Sequence, residues 1–318
     1  MTSDRSPSAR RTFAVVLNWN RPDATLRCVE ALRRSRPAPP EVIVVDNGSV
    51  DDSCRRLREG CPEVELIETG ANLGYAGGNN RGIERALERG AERVVLLNND
   101  DEVGPDCLSR LEAGLDAGRD VGAVGPVVEW PSDGGKARIW AAGGKLEHRE
   151  NITRLRGFGQ VRNGQFSRDE DVDYLPGCVL MVRREAFERV GLLDDTYFCY
   201  MEDVDFGRRL AAAGYRNRLV AGAHAVHEAS TSTGGGYTPA RKYMNAVNSV
   251  RFLRRHGSPR AWIGFFVFDV LGLPAALVLA TLRGRPGAAW AKARGIVDGL
   301  RGIRVTPERV ERYLRRDA

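Results

Sequence analysis

The 318-residue chain reads as an α/β protein with a mostly parallel central sheet and a C-terminal helical appendage. Two observations carry that reading. Over residues 12–100, short apolar runs of strand length alternate with segments whose apolar residues recur at helical spacing, which is the pattern of βαβ connections. From residue 256 onward the character changes: an apolar run at 261–282 is bracketed by basic residues, and residues 251–318 carry 14 Lys/Arg against 5 Asp/Glu.

"TFAVVLNWN" (12–20) is the first strand, and Leu26, Val29 and Leu32 in the segment after it mark a helix. The unit repeats with a strand at 41–45 and a helix near 52–60. "VELIETG" supplies a third strand, "YAGGNNRGIERALERG" a helix ended by Gly90, and "RVVLLNND" a fourth strand. These strands end in polar residues: Asn18 and Asn20, Asp46 and Asn47, and Asn98 to Asp101. Ligands of such sheets bind at the carboxyl ends of the strands, so a ligand is expected there.

The Gly-rich, charged stretch 131–171 predicts loops or a small excursion over the site. "DYLPGCVLMVRREAFERVGLLDD" predicts a strand interrupted at Pro176-Gly177, a second apolar strand and a helix closing at Gly191. "TYFCYMEDVDFGRRLAAAGY" places Glu202, Asp203 and Asp205 in the first turn of a helix whose apolar stripe includes Val204, Phe206 and Leu210. "RNRLVAGAHAVHEASTSTGGG" then reads as a strand leading to His224 and His227, followed by a loose Ser/Thr/Gly loop.

Three groups of residues suggest chemistry. Asn98, Asn99, Asp100 and Asp101 offer hard oxygen ligands to Mg²⁺ or Mn²⁺ at a strand end; the plainer reading is a solvated turn with an Asp capping the helix after Pro105. A helix N-terminus favours an acid through its dipole, but three carboxylates within residues 202–205 exceed what capping needs. The chain has only 4 histidines, so one following the acidic helix is either an ordinary strand-end residue or the group that closes a metal shell begun at Asp100.

Composition narrows the class. With 42% hydrophobic and 28% charged residues the chain is globular rather than disordered, and 36 glycines imply many tight turns or close backbone approaches. The 6 cysteines form no CxxC pair, which argues against a zinc site or a disulfide framework and fits a reducing cytosol. Residues 1–11 are polar and basic, as expected of a loose tail and not of a secretory signal. The C-terminal basic residues flank an apolar run instead of interleaving with exposed aromatics, which points to an anionic membrane surface and away from nucleic acid.

Over residues 12–255 the chain resembles an inverting family-2 glycosyltransferase of the GT-A fold, a single Rossmann-like nucleotide-binding domain. Within the family it is similar to the rhamnosyltransferases and galactofuranosyltransferases of bacterial surface polysaccharides. Seven motifs in the family's order carry the resemblance: "VVLNWNRPD", "VVDNGSVDDS", "NLGYAGGNNRGI", "LLNNDD" in place of the DXD motif, "LPGCVLMVRREAFERVGLLDD", "FCYMEDVDFGRRL" and "VHEASTS". The resemblance implies a donor site formed by Asn18, Asn20, Asp46, Asn72, Gly74, Asn80, Asn98 and Asp100, with Asp46 on the base or ribose. It implies Asp100 and His227 as ligands of Mg²⁺ or Mn²⁺, assisted by Asp101 because the first DXD carboxylate is replaced by Asn98. It also implies Asp203 as general base, with Glu202 ordering the acceptor.

The implied reaction is a single displacement. A carboxylate takes the acceptor's proton as the hydroxyl oxygen attacks the anomeric carbon opposite the leaving nucleotide, and a divalent cation meets the charge growing on the diphosphate. The expected donor is a dTDP- or UDP-sugar, dTDP-rhamnose first, and the expected acceptor is a glycan on a polyprenyl diphosphate lipid. A dinucleotide oxidoreductase needs G-x-G-x-x-G after the first strand, where this chain has "NWNRPD"; a nucleotidyltransferase needs glycines and a basic residue in the same loop. A degenerate, non-catalytic sugar-nucleotide-binding or membrane scaffold protein is the alternative, against which the intact Asp100 and Asp203 argue.

The expected division is a tail at 1–11, the transferase domain at 12–255 and a basic, apolar helical region at 256–318 dispensable for chemistry. The run 261–282 contains one charge, Asp269, and Pro274; it fits an interfacial or re-entrant hairpin, a membrane span, or a helix buried against the domain or a partner. A peripheral or monotopic protein on the cytoplasmic face of the plasma membrane is expected.

Overall fold

The computed structural model describes residues 11–132, 134–147, 152–228, 238–282, 284 and 286–314. The expected tail at 1–11 lies almost wholly outside the described residues, as do the Ser/Thr/Gly loop at 229–237 and Arg283 and Arg285.

The strand and helix alternation is realised as β1 (Thr12–Asn18), α1 (Pro22–Arg33), β2 (Glu41–Asp46), α2 (Ser53–Gly60), β3 (Glu65–Glu68), α3 (Gly74–Glu88) and β4 (Arg93–Asn98). The next stretch holds β5 (Asp101–Val103), α4 (Cys107–Asp116) and β6 (Val121–Glu129). Four short strands follow: β7 (Ile139–Ala141), β8 (Gly144–Leu146), β9 (Thr153–Leu155) and β10 (Glu170–Val172). Then come β11 (Val179–Arg183), α5 (Arg184–Val190), α6 (Glu202–Ala212), β12 (Arg216–His227) and the long α7 (Pro239–His256).

The main sheet runs β10-β12-β6-β11-β4-β1-β2-β3, with β5 added on β12 and β7 on β6. Strands β1 to β4 are parallel; β11 is antiparallel to both β4 and β6, and β12 is parallel to β6, so the sheet is mixed with one dominant direction. Helices cover both faces, which is why the strands read as continuous apolar runs. Alternate residues nonetheless divide cleanly. Ala14, Val16, Val44, Val95 and Leu97 pack with Val29 and Leu32 of α1 and Leu111 of α4, whereas Phe13, Val15, Ile43, Val45 and Leu96 pack with Ile83 of α3 and Phe187 and Phe206 beyond it.

Strands β5 and β6 were not expected from sequence. β6 contains Pro126, which falls beside a register shift against β12, where a missing N–H is tolerated. β5 begins in the acidic run itself and pairs antiparallel with β12, setting His227 opposite Asp101. The described part of the stretch 131–171 forms the small excursion expected, with short strands of which β7 and β10 join the main sheet and β8 and β9 pair with each other.

After α7 the chain forms α8 (Pro259–Phe265), a π turn (Phe266–Leu271), α9 (Leu273–Leu282), α10 (Pro286–Leu300) and α11 (Pro307–Leu314). Residues 259–282 form one helical run long and apolar enough to cross a membrane, and little of it is buried. Ile263, Phe266, Phe268, Leu271, Val278 and Leu282 are exposed, so this run is not a helix buried against the domain. Its proline sits in the first turn of α9, where its missing N–H is not needed, and Asp269 pairs with Lys292 of α10 at 2.7 Å.

The C-terminal helical region is present as expected, but it is joined to the body by packing as well as by chain. α10 lies so close to α7 that a Cβ on Gly295 would be 2.6 Å from the Tyr243 carbonyl oxygen, and one on Gly299 2.9 Å from Val250 Cβ. Asp298, 1% exposed, accepts from Tyr243 Oη at 2.9 Å and lies 3.4 Å from Arg309 of α11. The expected boundary at 255 therefore falls within the last turn of α7, the helix that α10 and α11 pack against.

Candidate active site

A cavity of about 350 Å³ opens at the carboxyl ends of β1 and β4. One part of its wall is Asn98, Asn99, Asp100 and His227; another is Glu202, Asp203 and Val204 at the start of α6. The acidic run and the acidic helix, 100 residues apart in sequence, thus meet around one space.

The first group is built by the β5 to β12 pairing. His227 Nδ1 lies 2.8 Å from Asp101 Oδ1 and 3.4 Å from Asp100 Oδ1, and Arg21 stands 3.7 Å from the other Asp100 oxygen. Asp101 is fully buried, and its second oxygen accepts from the Asn98 backbone N–H at 2.9 Å. Burial by itself pushes the Asp101 carboxyl up, and the neighbouring imidazole only partly opposes this, leaving it at about 6. Burial also opposes a charge on His227, but the two carboxylates outweigh it and raise the imidazole to about 10. At Asp100 they act the other way: burial is outweighed by His227 and Arg21, and the carboxyl is lowered.

These three residues place ligand atoms within 4.8 Å of one another. Although close, Asp101 Oδ1 and His227 Nδ1 are buried without a well-directed hydrogen bond. Converging, unsatisfied oxygen and nitrogen donors are what a divalent ion of the Mg²⁺ or Mn²⁺ type requires, so the residues fit one. The ring of Trp140 meets His227 edge-on, with centroids 4.7 Å apart, and holds the imidazole's orientation.

The second group sits on a strained turn. Phe198, Tyr200 and Met201 all take positive φ, at 64°, 71° and 75°, just before α6 begins at Glu202. The turn is held by the buried Asn248 of α7, whose side-chain amide donates to the carbonyls of Tyr197, Cys199 and Tyr200, each at 2.9 Å. Asp203 accepts from the Gly177 N–H at 3.2 Å and the Val204 N–H at 2.8 Å. Burial outweighs these bonds and raises Asp203 to about 6. Burial and the adjacent Asp203 push Glu202 well above the ordinary glutamate value. Glu202 Oε2 is buried and has no hydrogen-bond partner. Asp205 instead faces away, bound by Arg209 at 2.7 Å and His256 at 2.8 Å, and is structural.

The remaining expected donor residues divide in two. Asn72, Gly74, Asn98 and Asp100 line the cavity. Gly74 has φ of 75°, and a Cβ there would be 2.4 Å from the Phe198 carbonyl oxygen, so only glycine lets α3 start against the strained turn. Asn18, Asn20, Asp46 and Asn80 are not on the cavity wall. Asp46 is 2% exposed, and its oxygens accept from Asn18 Nδ2 at 2.7 Å and the Ser49 N–H at 2.9 Å. Asn20 likewise braces this loop, accepting from the Val50 N–H at 2.8 Å. The Asn80 amide spans to the backbone of Leu193, at 2.8 and 3.1 Å, and ties α3 to the segment after α5.

The cavity also has a wall that the motifs did not announce: Arg241, Met244 and Asn245 from α7, and Pro307, Val310, Glu311 and Leu314 from α11 or its first residue. The available signal was the polar series Arg241, Asn245 and Asn248, at helical spacing along one face of α7.

The family profile described as glycosyl transferase family 2 matches residues 13–191, more than half of the chain. An N-acetylglucosaminyl-diphospho-decaprenol L-rhamnosyltransferase of Mycobacterium tuberculosis is 32% identical over 228 residues, covering 65% of this chain and 73% of that protein. The dTDP-rhamnosyl transferase RfbF of Shigella flexneri is 26% identical over 272 residues, covering 82% of this chain and 86% of that protein. Among solved structures, the mannosyltransferase PcManGT of Pyrobaculum calidifontis, in complex with GDP-Man and Mn²⁺, superposes with a TM-score of 0.57 at 20% identity, covering 92% of this chain and 88% of that one. That likeness supports the GT-A fold.

Proposed function

The chain belongs to glycosyl transferase family 2, and we propose that it is an inverting transferase moving a sugar, rhamnose first, from a dTDP- or UDP-sugar to a hydroxyl of a glycan carried on a polyprenyl diphosphate. The observation that carries this reading is the meeting of two unlike acidic groups on one cavity: a converging Asp100, Asp101 and His227 cluster and the Glu202 and Asp203 pair. The names of the mycobacterial and Shigella relatives support rhamnosyl transfer, and the former supports a lipid diphosphate acceptor.

In this reading Asn72 and Gly74 border the nucleotide, and Asp100, Asp101 and His227 hold a divalent cation, which would supply positive charge to the departing diphosphate. Asp203 accepts the proton from the attacking hydroxyl. Its raised value suits it to the task, since a base near the working pH is both available and strong enough. Glu202, whose buried Oε2 has no hydrogen-bond partner among the described residues, binds the acceptor and holds its hydroxyl in reach of Asp203. The exposed apolar run 259–282 lies in the membrane interface at the cytoplasmic face, where nucleotide sugars are available.

The test is release of nucleoside diphosphate from a panel of sugar nucleotides by the purified full chain, with Mg²⁺, Mn²⁺ or a chelator. Metal-dependent hydrolysis of dTDP-rhamnose, and transfer with inverted anomeric configuration to a lipid-linked acceptor, are expected. Binding of donors without turnover of any of them would favour the non-catalytic scaffold instead.

A further inference from the structure

One face of α7 meets the segment that leads into the Glu202 and Asp203 pair. Asn248, Arg251 and Arg255 follow one another at spacings of three and four residues, so they share that face. Arg255 lies 2.8 Å from Asp194, and Arg251 donates to the Thr196 hydroxyl at 2.9 Å. The Asn248 amide takes the next stretch, donating to the carbonyls of Tyr197, Cys199 and Tyr200. His256 reaches beyond the turn to Asp205 at 2.8 Å. The chain from Asp194 to Asp205 is thus laid along this helix.

The Asn248 contact differs from ordinary packing. Its amide nitrogen carries two hydrogens, yet three carbonyls converge on it, and its buried Oδ1 finds no hydrogen-bond partner among the described residues. The turn it holds has three positive-φ residues, Phe198, Tyr200 and Met201, none of them glycine. Such conformations are costly and persist only where the surroundings over-determine them. The strain and the unmet oxygen both lower stability, and both belong to the device that sets the direction in which α6 starts. Residues 198–203 all line the cavity, whereas Asn248 is fully buried and does not. The Phe198 carbonyl, which Asn248 leaves free, accepts from the Ala76 N–H of α3 at 3.3 Å, so the same turn also touches the helix on the donor side.

We propose that Asn248 is a positioning residue for the transfer reaction: by clamping the turn at 197–200 it fixes where the Asp203 carboxylate stands relative to the acceptor hydroxyl. This rests on Asp203 as the base of the proposed function and adds the residue that aims it. Releasing the three carbonyls lets Tyr200 and Met201 relax toward negative φ, which turns the first residues of α6. A displacement of about 1 Å at a reacting group costs about 10²-fold in rate.

The test is a double-variant cycle on the full chain in detergent micelles, assayed well below each variant's melting point. The donor is dTDP-rhamnose and the acceptor is farnesyl diphosphate carrying one N-acetylglucosamine. Asn248→Leu, similar in size but without the donor group, should lower kcat about 10²-fold. Donor KM and Mn²⁺-dependent dTDP binding should change less than about twofold, because Asp100, Asp101 and His227 are not on the turn. In an Asp203→Asn background the same substitution should cost less than about threefold, since the group it aims is gone. Asn248→Ser, whose hydroxyl can still donate to one carbonyl, should show a smaller loss with the same dependence on Asp203, so the cycle does not hang on the apolar variant folding.

A loss of equal size in both backgrounds, or one matched by weaker donor binding, would make Asn248 an ordinary structural residue and overturn the proposal. Wild-type kcat in Asn248→Leu would do the same. No transfer by the wild-type chain, or wild-type transfer by Asp203→Asn, would refute the proposed function and the inference with it, a failure visible without any Asn248 variant.

Discussion

Replacing Asp203 by Asn should make the protein more stable and nearly inactive. In the folded chain the carboxyl is raised from the ordinary 3.8 to about 6, chiefly by burial. Because the folded value is raised, the ionised form costs stability. That cost is absent below about pH 4, grows as pH rises and is complete above about pH 6; a shift of roughly two units corresponds to about 3 kcal/mol. Asn removes the charge, but with one oxygen it can no longer serve both the Gly177 and Val204 N–H groups, an offset of about 1 kcal/mol. The net gain at neutral pH is then about 1–2 kcal/mol, visible as a rise of a few degrees in Tm. Loss of the base should lower transfer by about 10²–10⁴ with donor KM unchanged. Melting curves of both proteins between pH 4 and 8 would show the difference opening with rising pH, and wild-type kcat/KM should climb through a limb near pH 6 that belongs jointly to Asp203 and Glu202. A Tm difference independent of pH, or a variant that transfers at the wild-type rate, would refute the reasoning.

Asp100→Ala and His227→Ala should each weaken activity and metal-dependent nucleotide diphosphate binding, and the double variant should lose little more than either one, because they share one ion; calorimetric titration with Mn²⁺ reads this without turnover, and additive losses would count against a shared ion. Asp298→Ala strands Tyr243 and Arg309 in the α7 to α10 interface and should cost about 3–5 kcal/mol by denaturant unfolding; a loss under 1 kcal/mol would mean that α10 is loosely docked. Replacing Phe266, Phe268 and Leu271 together by Gln should leave the melting point nearly unchanged, since all three are exposed, yet abolish sedimentation with vesicles. Truncation after residue 256 should yield an aggregating protein rather than a soluble active domain, because it uncovers Tyr243, Val247 and Val250; a monodisperse, donor-hydrolysing fragment would refute this.

The parts of this architecture that could be read from sequence are those in which local pattern and tertiary role coincide. β1 to β4 are apolar runs because both sheet faces are covered, and the acids that follow β4 and open α6 do converge on one cavity. What was hidden depends on distant partners. A three-residue strand starting at Asp101 has no strand signature of its own; it exists because β12 supplies the opposite edge. Asp46 and Asn18 occupy the expected strand ends, and their side chains hydrogen-bond to each other and to Ser49, a network that residue type does not reveal. At the C-terminus the basic excess suggested a separate appendage, while the small residues Ala288, Ala291, Gly295 and Gly299, at helical spacing, were the sign of close packing on another helix.

The helix they pack against ties the catalytic parts together. Near its start α7 carries Arg241 on the cavity wall, at its middle Asn248 holds the strained turn before Glu202, and at its end Arg255 and His256 bind Asp205, two residues beyond the proposed base. The apolar run 259–282 is inserted between α7 and α10, and both helices are anchored in the body. An exposed apolar element held at both ends cannot swing freely, as a terminal anchor on a flexible linker would. Its exposed face therefore has a defined direction relative to Asp203, and under the proposed function an acceptor whose lipid chain stays in the bilayer would meet the base at a fixed height. Membrane binding as proposed would then contribute to positioning as well as to local concentration, so a longer flexible insertion between α7 and α8 should lower turnover on lipid-linked acceptors more than on a short, water-soluble one.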